Sequence, residues 1–119
     1  MHPHPKEGKD SMTAAIHPAN IGDGQVVKLI AIVVTHNRLG QLKKTLAALL
    51  ATPQQHLAAV VVFNNASTDG TESWLQTLQD PRVLTETAAE NIGGAGGFEA
   101  AMRLAVKLYS PDWVVLMDD

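Results

Sequence analysis

Two adjacent aspartates, Asp118 and Asp119, close the apolar run Trp113-Val114-Val115-Leu116-Met117. Two carboxylates buried side by side without partners cost several kcal/mol of repulsion and desolvation. A divalent cation relieves that cost, because hard cations take oxygen ligands and bridge carboxylates to substrate phosphates. The pair therefore reads as the start of a metal site, and the chain as part of a longer protein. The plain alternative is a solvated carboxyl end. Three more clusters carry groups able to touch a ligand. They are Thr35-His36-Asn37-Arg38, Asn64-Asn65-Ala66-Ser67-Thr68-Asp69-Gly70-Thr71 and Asn91-Ile92-Gly93-Gly94-Ala95-Gly96-Gly97. Taken singly, each is ordinary turn and cap chemistry.

The elements that must position these clusters follow from the apolar pattern. Leu29–Val34 and Ala58–Phe63 are unbroken apolar runs rich in β-branched residues, as is Trp113–Met117. Strands apolar on both faces belong to parallel sheets covered by helices. The spacing of Leu39, Leu42, Leu46, Leu49 and Leu50 predicts a helix that Pro53 ends. Phe98, Ala101, Met102, Ala105, Leu108 and Tyr109 predict another, starting near Gly96 and closed by Pro111. A shorter helix fits Thr71 to Gln79, and Arg82-Val83-Leu84 is a weak short strand. Strands are expected near 28–34, 58–63, 82–84 and 113–117. The β-α-β-α-β-α-β alternation implies an α/β fold with a doubly wound, mostly parallel, Rossmann-like sheet in the order 3-2-1-4. Ligands of such sheets bind beyond the carboxyl ends of the strands. All four clusters fall at that edge.

Composition narrows the function. The 119 residues carry a net charge of -3, which gives no electrostatic case for nucleic acid or an anionic membrane. Cysteine is absent, which excludes disulfides and zinc–thiolate sites. No apolar run reaches the ~18 residues of a membrane span. Residues 1–26 read as a poorly ordered tail, with turn chemistry at Ile21-Gly22-Asp23-Gly24 leading into one folded domain over 27–119. The tail's His2 and His4 are expected to be solvated. The amino end lacks the apolar core of a signal peptide. The expected location is cytoplasmic, with the inner membrane face open to a full-length protein. An open sheet edge could pair with another copy, so a homo-oligomer is allowed.

A dinucleotide reading of the glycine cluster fails on spacing. Gly94-x-Gly96 is followed by Phe98 and Glu99 without the third glycine, and it precedes the third helix rather than the first. A Gly-Lys-Ser/Thr phosphate loop is also missing. What remains is a run of small residues where backbone can approach a ligand, at a helix start suited to a pyrophosphate or a sugar hydroxyl.

In sequence order, Val33-Val34-Thr35-His36-Asn37-Arg38, Asn65-Ala66-Ser67-Thr68-Asp69-Gly70-Thr71, Asn91 to Phe98, and Leu116-Met117-Asp118-Asp119 resemble the successive motifs of family-2 glycosyltransferases. The resemblance covers Lys28 to Asp119, and the glycine loop is most similar to the galactofuranosyl- and rhamnosyltransferase branch. It implies a GT-A fold, a UDP- or dTDP-linked sugar donor, and a divalent cation (Mn or Mg) on an Asp-x-Asp motif. It also implies a carbohydrate or lipid-linked acceptor, in cell-surface polysaccharide or glycolipid synthesis. By the same resemblance Thr35, Asn37 and Arg38 meet the nucleotide. Asn64, Asn65 and Asp69 flank the base, with fixing of the turn and helix start as Asp69's alternative role. Asn91, Gly93, Gly94, Gly96 and Gly97 approach ribose and sugar. Asp118 reaches ribose or metal, and Asp119 is the middle residue of the metal motif. The family usually has an aspartate where this chain has Asn64; an amide carbonyl can still accept a pyrimidine N–H. The catalytic base is expected downstream, since Glu86, Glu90 and Glu99 sit in loops or at a helix start. Such a part is expected to bind donor without competent catalysis. The alternative is a non-catalytic nucleotide-binding or scaffolding module.

Overall fold

The computed structural model describes residues 13–16 and 27–119, with Asp118 and 13–16 described by their backbone alone. In chain order the elements are β1 (Thr13–Ile16), β2 (Leu29–Thr35), α1 (Leu39–Leu50), β3 (Ala59–Asn64), α2 (Thr71–Thr77), β4 (Val83–Thr87), α3 (Gly93–Tyr109) and β5 (Trp113–Asp118). They form one five-stranded sheet in the order β1-β5-β2-β3-β4. β2 pairs in parallel with both β3 and β5, and β3 in parallel with β4. The four expected strands thus stand in the expected 3-2-1-4 order.

Alternation along the strands decides the layers. Ile30, Ile32 and Val34 pack with Ala59, Val61 and Phe63 against Ala101 and Ala105 of α3. Ala31 and Val33 pack with Val60 and Val62 against Leu42 and Leu46 of α1 and Leu75 of α2. The central strands are buried on both faces, which is why they read as unbroken apolar runs.

The structure departs from expectation in four places. Residues 13–16 form β1, antiparallel to β5 with Thr13 opposite Met117, where a tail was expected. Four residues lacking their own periodicity gain strand geometry by adding to an open edge. The rest of the tail, with His2, His4 and the 21–24 turn, lies outside the described residues. β4 runs on through Thr85, Glu86 and Thr87, because an edge strand beside Val62–Asn64 tolerates polar, exposed residues. α3 begins at Gly93, not Gly96, so the glycines form its first turn instead of a loop. Leu108, assigned to the inner stripe of α3, is 52% exposed, and the inner stripe is Gly97, Ala101 and Ala105. A further tie had no signal in the pattern. The Arg82 guanidinium donates to the carbonyls of Leu50 (2.7 Å), Thr52 (2.8 Å) and Leu57 (3.2 Å), holding the end of α1 from the start of β4. Among the described residues no helix is long and apolar enough to cross a membrane.

Candidate functional site

Parallel register carries Thr35 and Asn64 to the same level at the carboxyl edge of the sheet, with Asp118 opposite Val34. Beyond that edge lies a cleft of about 210 Å3. Thr35, His36 and Arg38 line it from the first loop, Asn65 from the second, Asn91, Gly93 and Gly94 from the glycine turn, and Asp119 from the end of β5. The hydroxyl of Thr35 is the most telling group. Thr35 is 1% exposed, and its Oγ1 has no hydrogen-bond partner among the described residues. A buried hydroxyl left unsatisfied costs about 1–3 kcal/mol, so the site gains if a ligand supplies the partner. Beside it, Gly93 and Gly94 at the amino end of the 17-residue helix α3 line the cleft, and a helix amino end is a setting that favours anions.

Asn65 holds the cleft together. It is 2% exposed. Its amide donates to the Gly93 carbonyl (2.9 Å) and its side-chain oxygen accepts the Ile92 N–H (2.8 Å). Its own N–H donates to the Thr35 carbonyl (2.8 Å). One buried amide therefore fixes the glycine turn against the ends of β2 and β3. Asn91 completes the turn by accepting the Gly93 N–H (2.8 Å), which releases Gly93 into its left-handed conformation (φ 82°).

Several expected ligand residues make structural contacts. Asn64 is fully buried; its side-chain oxygen accepts the Ser67 N–H (3.2 Å) and its amide donates to the Thr87 hydroxyl (3.3 Å). It shapes the second loop from beneath and does not present its amide to the cleft. Asp69 accepts the Leu39 N–H (3.0 Å), the Thr71 N–H (3.2 Å) and the Thr71 hydroxyl (2.5 Å). It thus caps the starts of α1 and α2 together, its alternative role. The Thr71 hydroxyl, chiefly, with these backbone N–H groups holds its carboxyl below the ordinary 3.8 against the opposing effect of burial. Asn37 adopts φ 52° and accepts the Thr68 N–H (2.7 Å), tying the first loop to the second. Gly97 is a packing glycine: a Cβ there would sit 2.9 Å from Val34 Cγ1. At Gly96 a Cβ would meet only the Ile92 side chain at 3.3 Å.

Of the two aspartates expected to form a metal motif, Asp119 is a carboxylate 6% exposed in the cleft. No group of three or more His, Cys, Asp or Glu that could hold a metal occurs among the described residues. A hard cation such as Mg2+ is commonly held by one or two carboxylates plus substrate phosphates, so the oxygen donors present fit that kind of ion.

Two more cavities lie near the sheet. One of about 440 Å3 sits on the far side of the second loop, lined by Ser67, Thr68, Glu72 and Thr87 among others. The other, about 640 Å3 and mostly apolar, opens at the opposite edge, where Leu29 and Trp113 begin their strands. Sequence reasoning named no role for His36, although it sits directly after a strand that ends in the cleft. Its position beside Thr35 was the signal.

Against known proteins, the model for glycosyl transferase family 2 matches residues 30–119. Galactofuranosyltransferase GlfT1 of Mycobacterium tuberculosis (strain CDC 1551 / Oshkosh) is 35% identical over 91 residues, 76% of this chain and 30% of that protein. The same figures hold for strain ATCC 25618 / H37Rv. The solved mannosyltransferase PcManGT from Pyrobaculum calidifontis, in complex with GDP-Man and Mn2+, superposes with a TM-score of 0.59 at 27% identity. That match covers 76% of this chain and 28% of the other. The chain therefore spans about 30% of the length of the curated relatives it matches. With a GT-A sheet and the loop motifs at its carboxyl edge, the chain belongs to glycosyl transferase family 2.

Proposed function

We propose that this chain is the donor-binding part of a glycosyltransferase that takes a UDP- or dTDP-linked sugar. The observation that carries the reading is the buried, unpartnered Thr35 hydroxyl in a cleft shared with the start of α3 and the Asp119 carboxylate. A nucleoside diphosphate suits those three features at once. Its ribose or phosphate oxygens accept from Thr35 and from the first-turn N–H groups of α3. Arg38 at the rim adds positive charge. The Asp119 carboxylate needs a cation between itself and any phosphate, and we assign Asp118 and Asp119 to that ion. When bound, the cation offsets the negative charge that grows on the departing diphosphate.

With Asn64 closed off beneath the second loop, the base is read elsewhere. The cavity lined by Ser67, Thr68 and Thr87 lies beside that loop and supplies hydroxyl groups for the purpose. The acceptor hydroxyl, belonging to a carbohydrate or lipid-linked acceptor, requires a general base. We place that base and the acceptor-binding surface in sequence other than these residues, since the match covers only 30% of the relatives' length. This chain alone then binds donor without transferring sugar.

The test is calorimetric titration with UDP, dTDP, GDP, ATP and NAD, each with and without Mn2+. Weak binding of UDP or dTDP, strengthened by Mn2+, is the expected result. Tighter binding of NAD or ATP would overturn the assignment in favour of a general nucleotide-binding module. Tighter binding of GDP would keep the donor site and reassign the base, as the GDP-Man complex of the mannosyltransferase suggests.

A further inference from the structure

His36 makes two hydrogen bonds whose directions are fixed from outside. Its Nδ1 lies 2.6 Å from the Asn65 carbonyl, and its Nε2 lies 3.3 Å from the Asn37 side-chain nitrogen. The Asn65 carbonyl can only accept, so Nδ1 must carry a hydrogen. At the other end, the Thr68 N–H donates to Asn37 Oδ1 at 2.7 Å. A backbone N–H can only donate, so Asn37 turns its oxygen toward Thr68 and its NH2 toward His36. The Nε2 of His36 must then accept. Two backbone groups, one at each end, thus select one neutral tautomer of the ring between them.

We infer that His36, in its Nδ1–H tautomer, is a positioning residue for the donor site, rigidly joining the first loop to the second. The relay runs from the Thr68 N–H through Asn37 and His36 to the Asn65 carbonyl. Asn65 continues it to the glycine turn through Ile92 and Gly93. The relay flanks Thr35 on one side and Arg38 on the other, the two cleft residues that the first loop contributes. Arg38 and Asp119 are the charged side chains that share the cleft with the ring, and Asp69 of the second loop is already engaged by Leu39 and Thr71. This inference rests on the donor-site reading for its consequence, but not for its geometry.

Long-range proton–nitrogen NMR of the ring in the unliganded chain reads the tautomer directly. A neutral His36 with hydrogen on Nδ1 is expected; hydrogen on Nε2 overturns the relay. UDP titration of two variants then reads its consequence. An asparagine at this position can donate to the Asn65 carbonyl much as Nδ1 does, whereas a phenylalanine only fills space. His36→Phe is expected to weaken UDP binding on the order of tenfold, the effect of leaving the carbonyl of buried Asn65 without its donor. His36→Asn is expected to recover part of that loss. Binding by His36→Phe equal to or better than His36→Asn would show that the ring acts by bulk alone and would sink the inference. If the wild-type chain binds no nucleotide at all, the donor-site reading falls, and the ring tautomer still decides whether the relay exists.

Discussion

The two faces of the sheet solve the same packing problem with opposite side chains. On one face α1 presents Leu42 and Leu46, both essentially unexposed, against Ala31, Val33, Val60 and Val62. On the other, α3 presents Gly97, Ala101 and Ala105 against Ile30, Ile32, Val34, Val61 and Phe63. In the first case the bulk lies on the helix; in the second it lies on the sheet, and the helix backbone comes in close. The difference matters because the first residues of α3, Gly93 and Gly94, line the cleft, whereas the first N–H of α1 is taken by Asp69. The leucine face supplies stability, and the small-residue face lets the start of α3 sit at the sheet edge.

Breaking the leucine face should give the largest loss of stability. Leu46→Ala, at 1% exposure, is expected to cost about 2–5 kcal/mol in a denaturant melt, from lost burial plus the cavity left behind. A loss below about 1 kcal/mol would mean that α1 is not anchored as described. On the small-residue face the sign of the volume change reverses. Gly97→Ala adds a methyl 2.9 Å from Val34 Cγ1 and 3.2 Å from Phe63 Cδ2, and is expected to cost about 1–3 kcal/mol by overpacking. It should also weaken UDP binding more than Leu46→Ala does in the fraction that remains folded, because it displaces the first turn of α3. Equal effects of the two substitutions on binding would remove the distinction between the faces.

The smallest expected effect concerns Asp69. Asp69→Ala removes the cap shared by α1 and α2 and should cost about 1 kcal/mol, the scale of a lost helix cap. The pH dependence has a definite sign. The folded-state carboxyl titrates below its ordinary 3.8, so its contribution is present above that value and lost as the pH falls through the depressed one. Wild type and Asp69→Ala should therefore converge in stability in strong acid and diverge above about pH 4. Parallel curves down to acid pH would mean that the capping bonds are not made by the ionised group.

Much of the fold could be read in the chain because β2 and β3 are buried on both faces, and such strands leave unbroken apolar runs. Thr13–Ile16 could not be read, since its strand geometry is lent by the edge of β5. The start of α3 was missed because glycine is a poor helix former, and Gly93 and Gly94 gave no local sign of the Asn91 and Asn65 bonds that organise this turn. At the site, the strand-end clusters were legible as a set, while the division of labour within them was not. Asn64, Asn65 and Asp69 have residue types suited to ligand contact, and the structure ties them to Thr87, Gly93 and Leu39. Hydrogen-bond partners this far apart in sequence are decided by topology, which the residue types alone do not encode.

The central claim is a location: the ligand binds at the carboxyl edge of the sheet, over Thr35, and not at the opposite edge. Amide shift mapping of the chain during UDP titration, with and without Mn2+, tests this most directly. Shifts should concentrate on Thr35, His36, Arg38, Asn65, Asn91, Gly93, Gly94 and Asp119, the residues that line the cleft. Thr35→Val, which removes the unpartnered hydroxyl and keeps the shape, should weaken them on the order of tenfold. Shifts confined to Leu29, Gln55, His56 and Trp113, around the apolar cavity at the opposite edge, would contradict the account.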